Sequence, residues 1–237
     1  MFCFRNTSTA RNAVRSLVQT GKAFKIRNNL YTCRNPETDK PIANRFQIAS
    51  SITASSCVSH HSAMEYYGIM NQLFYDVYVS SETRFHDFEF DGYTYRFVQS
   101  YIREGIEYPE FSGGIKVTDR ERTTIDSIKD MDKISGMEEV LSNIESMENL
   151  DEEKLLQYLH LYKSGFLFQK TGFLLWDVRE QLGLSDTFFE ECHTCMGQNV
   201  RYLTSERKKA SFDRYWKLMI PLDYNNKNGV LFADEPI

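Results

Sequence analysis

The chain has 237 residues, of which 41% are hydrophobic, 14% aromatic and 26% charged. That supplies a real core and suits a protein rich in β-sheet, while 12 Gly and 5 Pro exclude collagen-like repeats and long disordered tracts. A net charge of −5 argues against indiscriminate nucleic-acid binding, and five cysteines spread over the chain read as reduced thiols of a cytoplasmic protein. No apolar run approaches the roughly 20 residues of a membrane span, and the start, MFCFRNTSTARN, lacks the apolar segment of a signal peptide.

The first predicted element is a helix over residues 8–20, STARNAVRSLVQT. Ser8 or Thr9 can cap it, Ala13 or Val14 with Leu17 and Val18 form an apolar stripe, and Gly21 follows where a positive φ ends a helix. Arg11, Asn12 and Arg15 fall on the opposite face. The next run, KAFKIRNNLYTC, alternates Phe24 and Ile26 with Lys25 and Arg27 and turns at Asn28-Asn29, a pattern that predicts a tight hairpin. A basic helix, a turn and a basic hairpin together resemble the second half of a winged helix-turn-helix, in which the helix enters the major groove and the wing touches the flanking backbone. Only seven residues precede Ser8, about two helical turns, so a partial winged helix is expected.

Charge supports this division. Residues 1–50 hold nine Lys/Arg against two Asp/Glu, a net of +7, and the remaining 187 residues hold 19 against 31, a net of −12. A basic head on an acidic body is the asymmetry of a nucleic-acid-binding module joined to something else. A solvated basic face with no partner is the competing reading. Residues 35–45, NPETDKPIANR, read as a linker, which predicts a segment 1–45 and a domain 46–237.

In that domain, residues 46–53 and 58–69 predict helices and residues 74–80 a strand. HDFEFDGYTYRFVQS at 86–100 is a hairpin turning at Asp91-Gly92, and GGIKVTD gives one more short strand. From about residue 119 the pattern becomes helical, with acidic residues opening several helices as the helix dipole favours. SFDRYWKLMIPLD then puts Trp216, Leu218 and Ile220 on one face of a returning strand, and the tail has little pattern. The expected class is α+β: a partial winged helix-turn-helix, a mixed-sheet domain and a C-terminal helical part.

Candidate chemistry is sparse. Cys192 and Cys195 are i,i+3 neighbours on a predicted helix without a second CxxC or HxxxH to complete four ligands, so no zinc is expected there. His60 and His61 point about 100° apart on a helix and are expected on its surface and rim. Glu121 and Asp126 diverge by about 140°, which suits an Arg-paired acid near a helix start better than a shared metal. GxxxxGK, GxSxG, HExxH and GxGxxG are all missing from the sequence, so no enzyme and no cofactor are expected.

In order, TARNAVRSLVQTGKAFKIRNNLYTC, the SHHSAMEYYGI helix followed by a strand, the hairpin, and GIKVTDRERTTIDSI resemble the AbiEi family of antitoxins from type IV toxin–antitoxin systems. The resemblance implies a bacterial, cytoplasmic repressor whose winged helix binds the promoter of its own operon. It implies also that the C-terminal domain counteracts a nucleotidyltransferase toxin, without a necessary direct complex, in abortive infection. On this reading Arg11, Asn12 and Arg15 face the groove and Thr9 lies near phosphate. Lys25, Arg27, Asn28 and Asn29 form the wing, with Arg5 and Lys22 adding backbone contacts. Two other classes remain open: a metal-dependent nucleic-acid enzyme presenting Asp76, Asp87 or Glu89, and a protein-interaction domain that does not bind DNA.

Overall fold

The structure is a computed structural model that describes residues 7–69, 74–134, 136–205, 209–222 and 224. The chain opens with α1 (Thr7–Gln19), β1 (Ala23–Arg27) and β2 (Leu30–Cys33), followed by α2 (Arg45–Ser50), β3 (Cys57–Val58) and α3 (His60–Tyr66). Strands β4 (Asp76–Ser81), β5 (Phe88–Phe90), β6 (Tyr93–Gln99), β7 (Ile106–Glu107) and β8 (Val117–Thr118) come next. Helices then take over as α4 (Arg120–Ile134), α5 (Met137–Glu145), α6 (Glu152–Tyr162), α7 (Gly165–Trp176), α8 (Arg179–Leu182) and α9 (Asp186–Cys195). The last described strands are β9 (Arg201–Tyr202), β10 (Ala210–Asp213) and β11 (Leu218–Pro221). The fold is α+β. The tail expected to lack pattern lies, beyond residue 224, outside the described residues.

Two compact units emerge. The first comprises residues 1–58, 74–99 and 108–117, and the second residues 59–73, 100–107 and 118–237. This division lies elsewhere than the linker expected at 35–45, because that segment is tied back onto the hairpin. Asn35 N donates to Lys40 O and Ile42 N to Cys33 O, and Ala43 N donates to the Thr32 hydroxyl at 3.1 Å. Asn44 then caps α2 in a capping box with Gln47, an N-x-x-Q signature placed just before an apolar turn.

In the first unit the strands lie in the hydrogen-bonded order β5-β6-β4-β3-β8. β4 runs parallel to β6 and antiparallel to β3. Being central, it is buried on both faces from Val77 to Ser81, so Val77, Tyr78 and Val79 do not show the expected alternation of buried and exposed. The Asp91-Gly92 turn joins β5 to β6 with φ of 51° and 80°, both positive as a type I′ turn requires. Its strands pair Phe88 with Tyr95, whose rings stack at 4.8 Å.

The second unit packs its helices around one apolar cluster that includes Ile125, Leu155, Leu159, Leu174, Phe188, Phe189, Trp216 and Leu218. Trp216 is not on the predicted returning strand; it sits in the turn between β10 and β11, with Lys217 at a φ of 53°. Its indole covers Gly172 of α7, where an added Cβ would lie 2.1 Å from the ring.

Through this unit runs α4, which buries charge as well as hydrocarbon. Arg122 is fully buried. Its Nε donates to Asp126 Oδ2 at 2.9 Å, Nη1 to Glu104 O at 2.6 Å and Nη2 to Ser100 Oγ at 3.2 Å. Asp126 is thus the Arg-paired acid expected near a helix start, while Glu121 instead accepts from Asp151 N at 3.0 Å. His60 and His61 depart from expectation. Both are buried rather than at a surface, because carboxylates meet them inside: His60 Nε2 lies 3.6 Å from Asp130 Oδ2 and His61 Nδ1 3.5 Å from Glu139 Oε1.

Asp130 also receives Lys129 and, at 2.8 Å, Lys133. Burial alone would raise its pKa, but the neighbouring His60 imidazole and the Lys129 charge outweigh that and hold it well below the usual carboxylate range. A depressed folded pKa stabilises the protein fully above the unfolded value of about 3.9, and the contribution fades as pH falls below it. Asp130→Asn is therefore expected to cost about 3 kcal/mol at pH 7, the low end for a broken buried pair, since Lys133 is 78% exposed and rehydrates readily. Urea unfolding should show the gap between wild type and variant narrowing below pH 4.

Gly172→Ala sets two effects against each other. The helix-propensity gain is about 1 kcal/mol, and overpacking against a buried ring costs about 1–3 kcal/mol. Because the clash falls on the buried Trp216 ring rather than a flexible chain end, the variant should melt below wild type.

Candidate nucleic-acid interface

The basic head is built from local sequence. α1 ends in a Schellman motif: Lys22 N donates to Leu17 O at 2.8 Å and Gly21 N to Val18 O at 3.1 Å, with Gly21 at a φ of 68°. Glycine takes that conformation without a Cβ penalty, and the chain reverses directly into β1. Ala13, Val14, Leu17 and Val18 make the half-buried side of the helix. Thr9, Arg11, Asn12 and Arg15 are exposed, so the polar face read from the sequence is open.

β1 and β2 pair antiparallel around Asn28-Asn29, with Asn29 at a φ of 62°, a conformation Asn tolerates through its short polar side chain. Lys22, Lys25, Asn28 and Asn29 are exposed. Tyr31, also exposed, pairs across the strands with Lys25 and adds an aromatic to the basic face. Sequence reasoning passed over it, although its position next to the buried Thr32 is the period-2 signal that finds such residues.

Arg27 requires a correction. Strict alternation puts it on the face of Lys25, among the wing contacts. The register slips between Lys25 and Arg27, and an extra residue in one strand re-aims the side chains beyond it. Arg27 is half-buried, and its guanidinium lies 5.5 Å and 5.2 Å from the ring centroids of Phe85 and Phe88. It anchors the hairpin to the first unit instead of facing outward. Phe24 supports the same contact, edge-on to Phe90 at 6.4 Å and covered by Arg34 at 4.6 Å. Arg5 lies outside the described residues.

The carboxylates that would serve a nucleic-acid enzyme are arranged differently. Asp76 and Asp87 both reach Arg96, at 3.3 Å and 3.4 Å, so they neutralise a guanidinium between them. Glu89 is exposed on β5. No helix among the described residues is long and apolar enough to cross a membrane.

No family model and no curated protein matches the chain. Among solved structures it is similar to the crystal structure of the RV2827C protein from Mycobacterium tuberculosis, with a TM-score of 0.57 over 92% of this chain and 80% of that one. The two share 11% sequence identity. The likeness shows a common fold and nothing more.

The geometry separates the two cations of β1. Arg27→Ala should cost about 1–2 kcal/mol of stability, the worth of a desolvated cation–π contact together with its packed stem. Lys25→Ala should stay within about 0.5 kcal/mol of wild type, as exposed substitutions do. Chemical denaturation of both variants measures the difference.

Proposed function

We propose that the protein is a DNA-binding antitoxin and transcriptional autorepressor of a bacterial type IV toxin–antitoxin operon, acting in the cytoplasm without catalysis and counteracting a nucleotidyltransferase toxin. The observation that carries the proposal is the exposure of Arg11, Asn12 and Arg15 on α1 together with that of Lys22, Lys25, Asn28 and Asn29 at the hairpin that follows. Residues 1–34 contain seven Lys/Arg and no Asp or Glu, so nothing acidic within that stretch offsets their charge.

The chemistry fits a duplex. α1 spans 13 residues, about 20 Å of helix, which is enough to lie along a major groove. Arg11, Asn12 and Arg15 carry the donors that read base edges, and Lys22 and Lys25 carry point charges suited to phosphate. The order of the sequence blocks, with its resemblance to the AbiEi antitoxins, supplies the choice of target: the promoter of its own operon. The second unit would hold the antitoxin activity, which needs no direct complex with the toxin.

A labelled fragment of that promoter, titrated with the full chain, tests the reading. Four to six phosphate contacts give a slope of log K against log salt of about −4 to −5. Arg15→Ala should cost about 1–3 kcal/mol and relax base preference at one position, whereas Lys25→Ala should weaken all sequences alike and make the slope shallower by about one. Promoter DNA that stays unbound even at low salt would overturn the proposal.

A further inference from the structure

Away from the basic head, three side chains of different donor chemistry meet in the second unit. His160 belongs to the last turn of α6, while Glu191 and Cys195 stand four residues apart on α9. Residues spaced by four share one helix face, so carboxylate and thiol emerge together. One donor atom from each of the three residues lies within 4.8 Å of the others. His160 Nε2 is 3.2 Å from Glu191 Oε1, and Cys195 Sγ is 3.3 Å from the same oxygen. The packing fixes which cysteine takes part: Cys192 is fully buried in the apolar cluster and Cys195 is not.

We propose that His160, Glu191 and Cys195 form a three-ligand site for a divalent transition metal of the zinc class, with a fourth position open to water. Such ions bind thiolate sulfur at about 2.3 Å, imidazole nitrogen at about 2.0–2.1 Å and carboxylate oxygen at about 2.0–2.2 Å. Ligand atoms at those lengths around a tetrahedral ion stand about 3.3–3.8 Å apart. Two of the separations are already at or near that spacing, so closure needs only side-chain adjustment. Thiolate and imidazole select zinc, cobalt or copper over magnesium and calcium, which demand oxygen ligands. Binding replaces the Cys195 S–H bond with a metal–sulfur bond and releases one proton to solvent, while Glu191 and neutral His160 each donate a lone pair. His160 and Glu191 are 52% and 41% exposed, which gives an ion a way in.

The ligand set explains why CxxC spacing pointed elsewhere. The expectation of no zinc at Cys192 and Cys195 concerned two sulfurs on one helix, whereas this site takes one of them and completes it from another helix. Without a metal, His160 meets Glu191 between α6 and α9, and the Cys195 thiol donates to the same carboxylate within α9.

Titration of the reduced full chain with Co²⁺ distinguishes the two. The site predicts a thiolate-to-cobalt charge-transfer absorption and the visible bands of four-coordinate cobalt, saturating at one ion per chain and erased by one equivalent of Zn²⁺. Cys195→Ser should abolish the charge-transfer band, and Cys33→Ser, at an exposed cysteine remote in sequence, should retain it. His160→Ala and Glu191→Gln, both at accessible positions, should each weaken cobalt binding about tenfold or more while leaving the far-ultraviolet circular dichroism unchanged. Failure to develop the band at a few equivalents of cobalt, or its survival in Cys195→Ser, would overturn the proposal.

Discussion

A guanidinium without access to water organises the second unit. Removing Arg122 from solvent costs several kcal/mol unless its donors find partners, and here they do: a carboxylate, backbone carbonyls and a serine hydroxyl surround it. These partners come from α4 itself and from residues 100–104. A segment with no regular structure of its own is thereby held against the helix. Asp119 extends the arrangement by capping α4, accepting Arg122 N at 2.7 Å.

The same two carboxylates bind a second helix. Tyr158 donates to Asp119 at 2.6 Å, and Tyr162 donates to Asp126. Four residues separate the tyrosines and seven the aspartates, so each pair lies on one face of its helix. Burial, followed for Tyr158 by its hydrogen bond to Asp119 and for Tyr162 by the charge of Asp126, pushes both phenols well above their ordinary range. The raised values favour the neutral, donating form of each phenol. Such a network specifies one alignment of α4 and α6, since sliding either helix by a turn strands a charge. Apolar packing alone tolerates more substitution, provided volume is kept.

The head follows a different logic. Its helix and hairpin are short-range structures, closed by Gly21 and Asn29 and fastened to the first unit by aromatic rings under Arg27 and Arg34. Cations of one charge thus occupy two environments two positions apart. Arg27 holds the hairpin in place. Lys25 stays exposed to solvent. Charge counting cannot tell them apart, because the difference is which side of the strand each faces.

The local elements were legible. Apolar spacing over residues 8–20 gave α1 to within a residue, Asp91-Gly92 gave the type I′ hairpin, and the change to helical periodicity near residue 119 marked α4, because each depends on neighbours a few positions away. The exposed face of Arg11, Asn12 and Arg15 followed from the same periodicity. Tertiary structure decided the rest. A single slip in register turned Arg27 inward, and carboxylates on α4 and α5 drew His60 and His61 into the interior. Two helices brought His160 to Glu191 and Cys195 across more than thirty positions of chain. Sequence by itself determined the locally patterned helices and the Asp91-Gly92 hairpin, and where positive charge collects. Which polar groups are buried, and which of them meet, depended on contacts between residues far apart in the chain, and no local pattern encodes those.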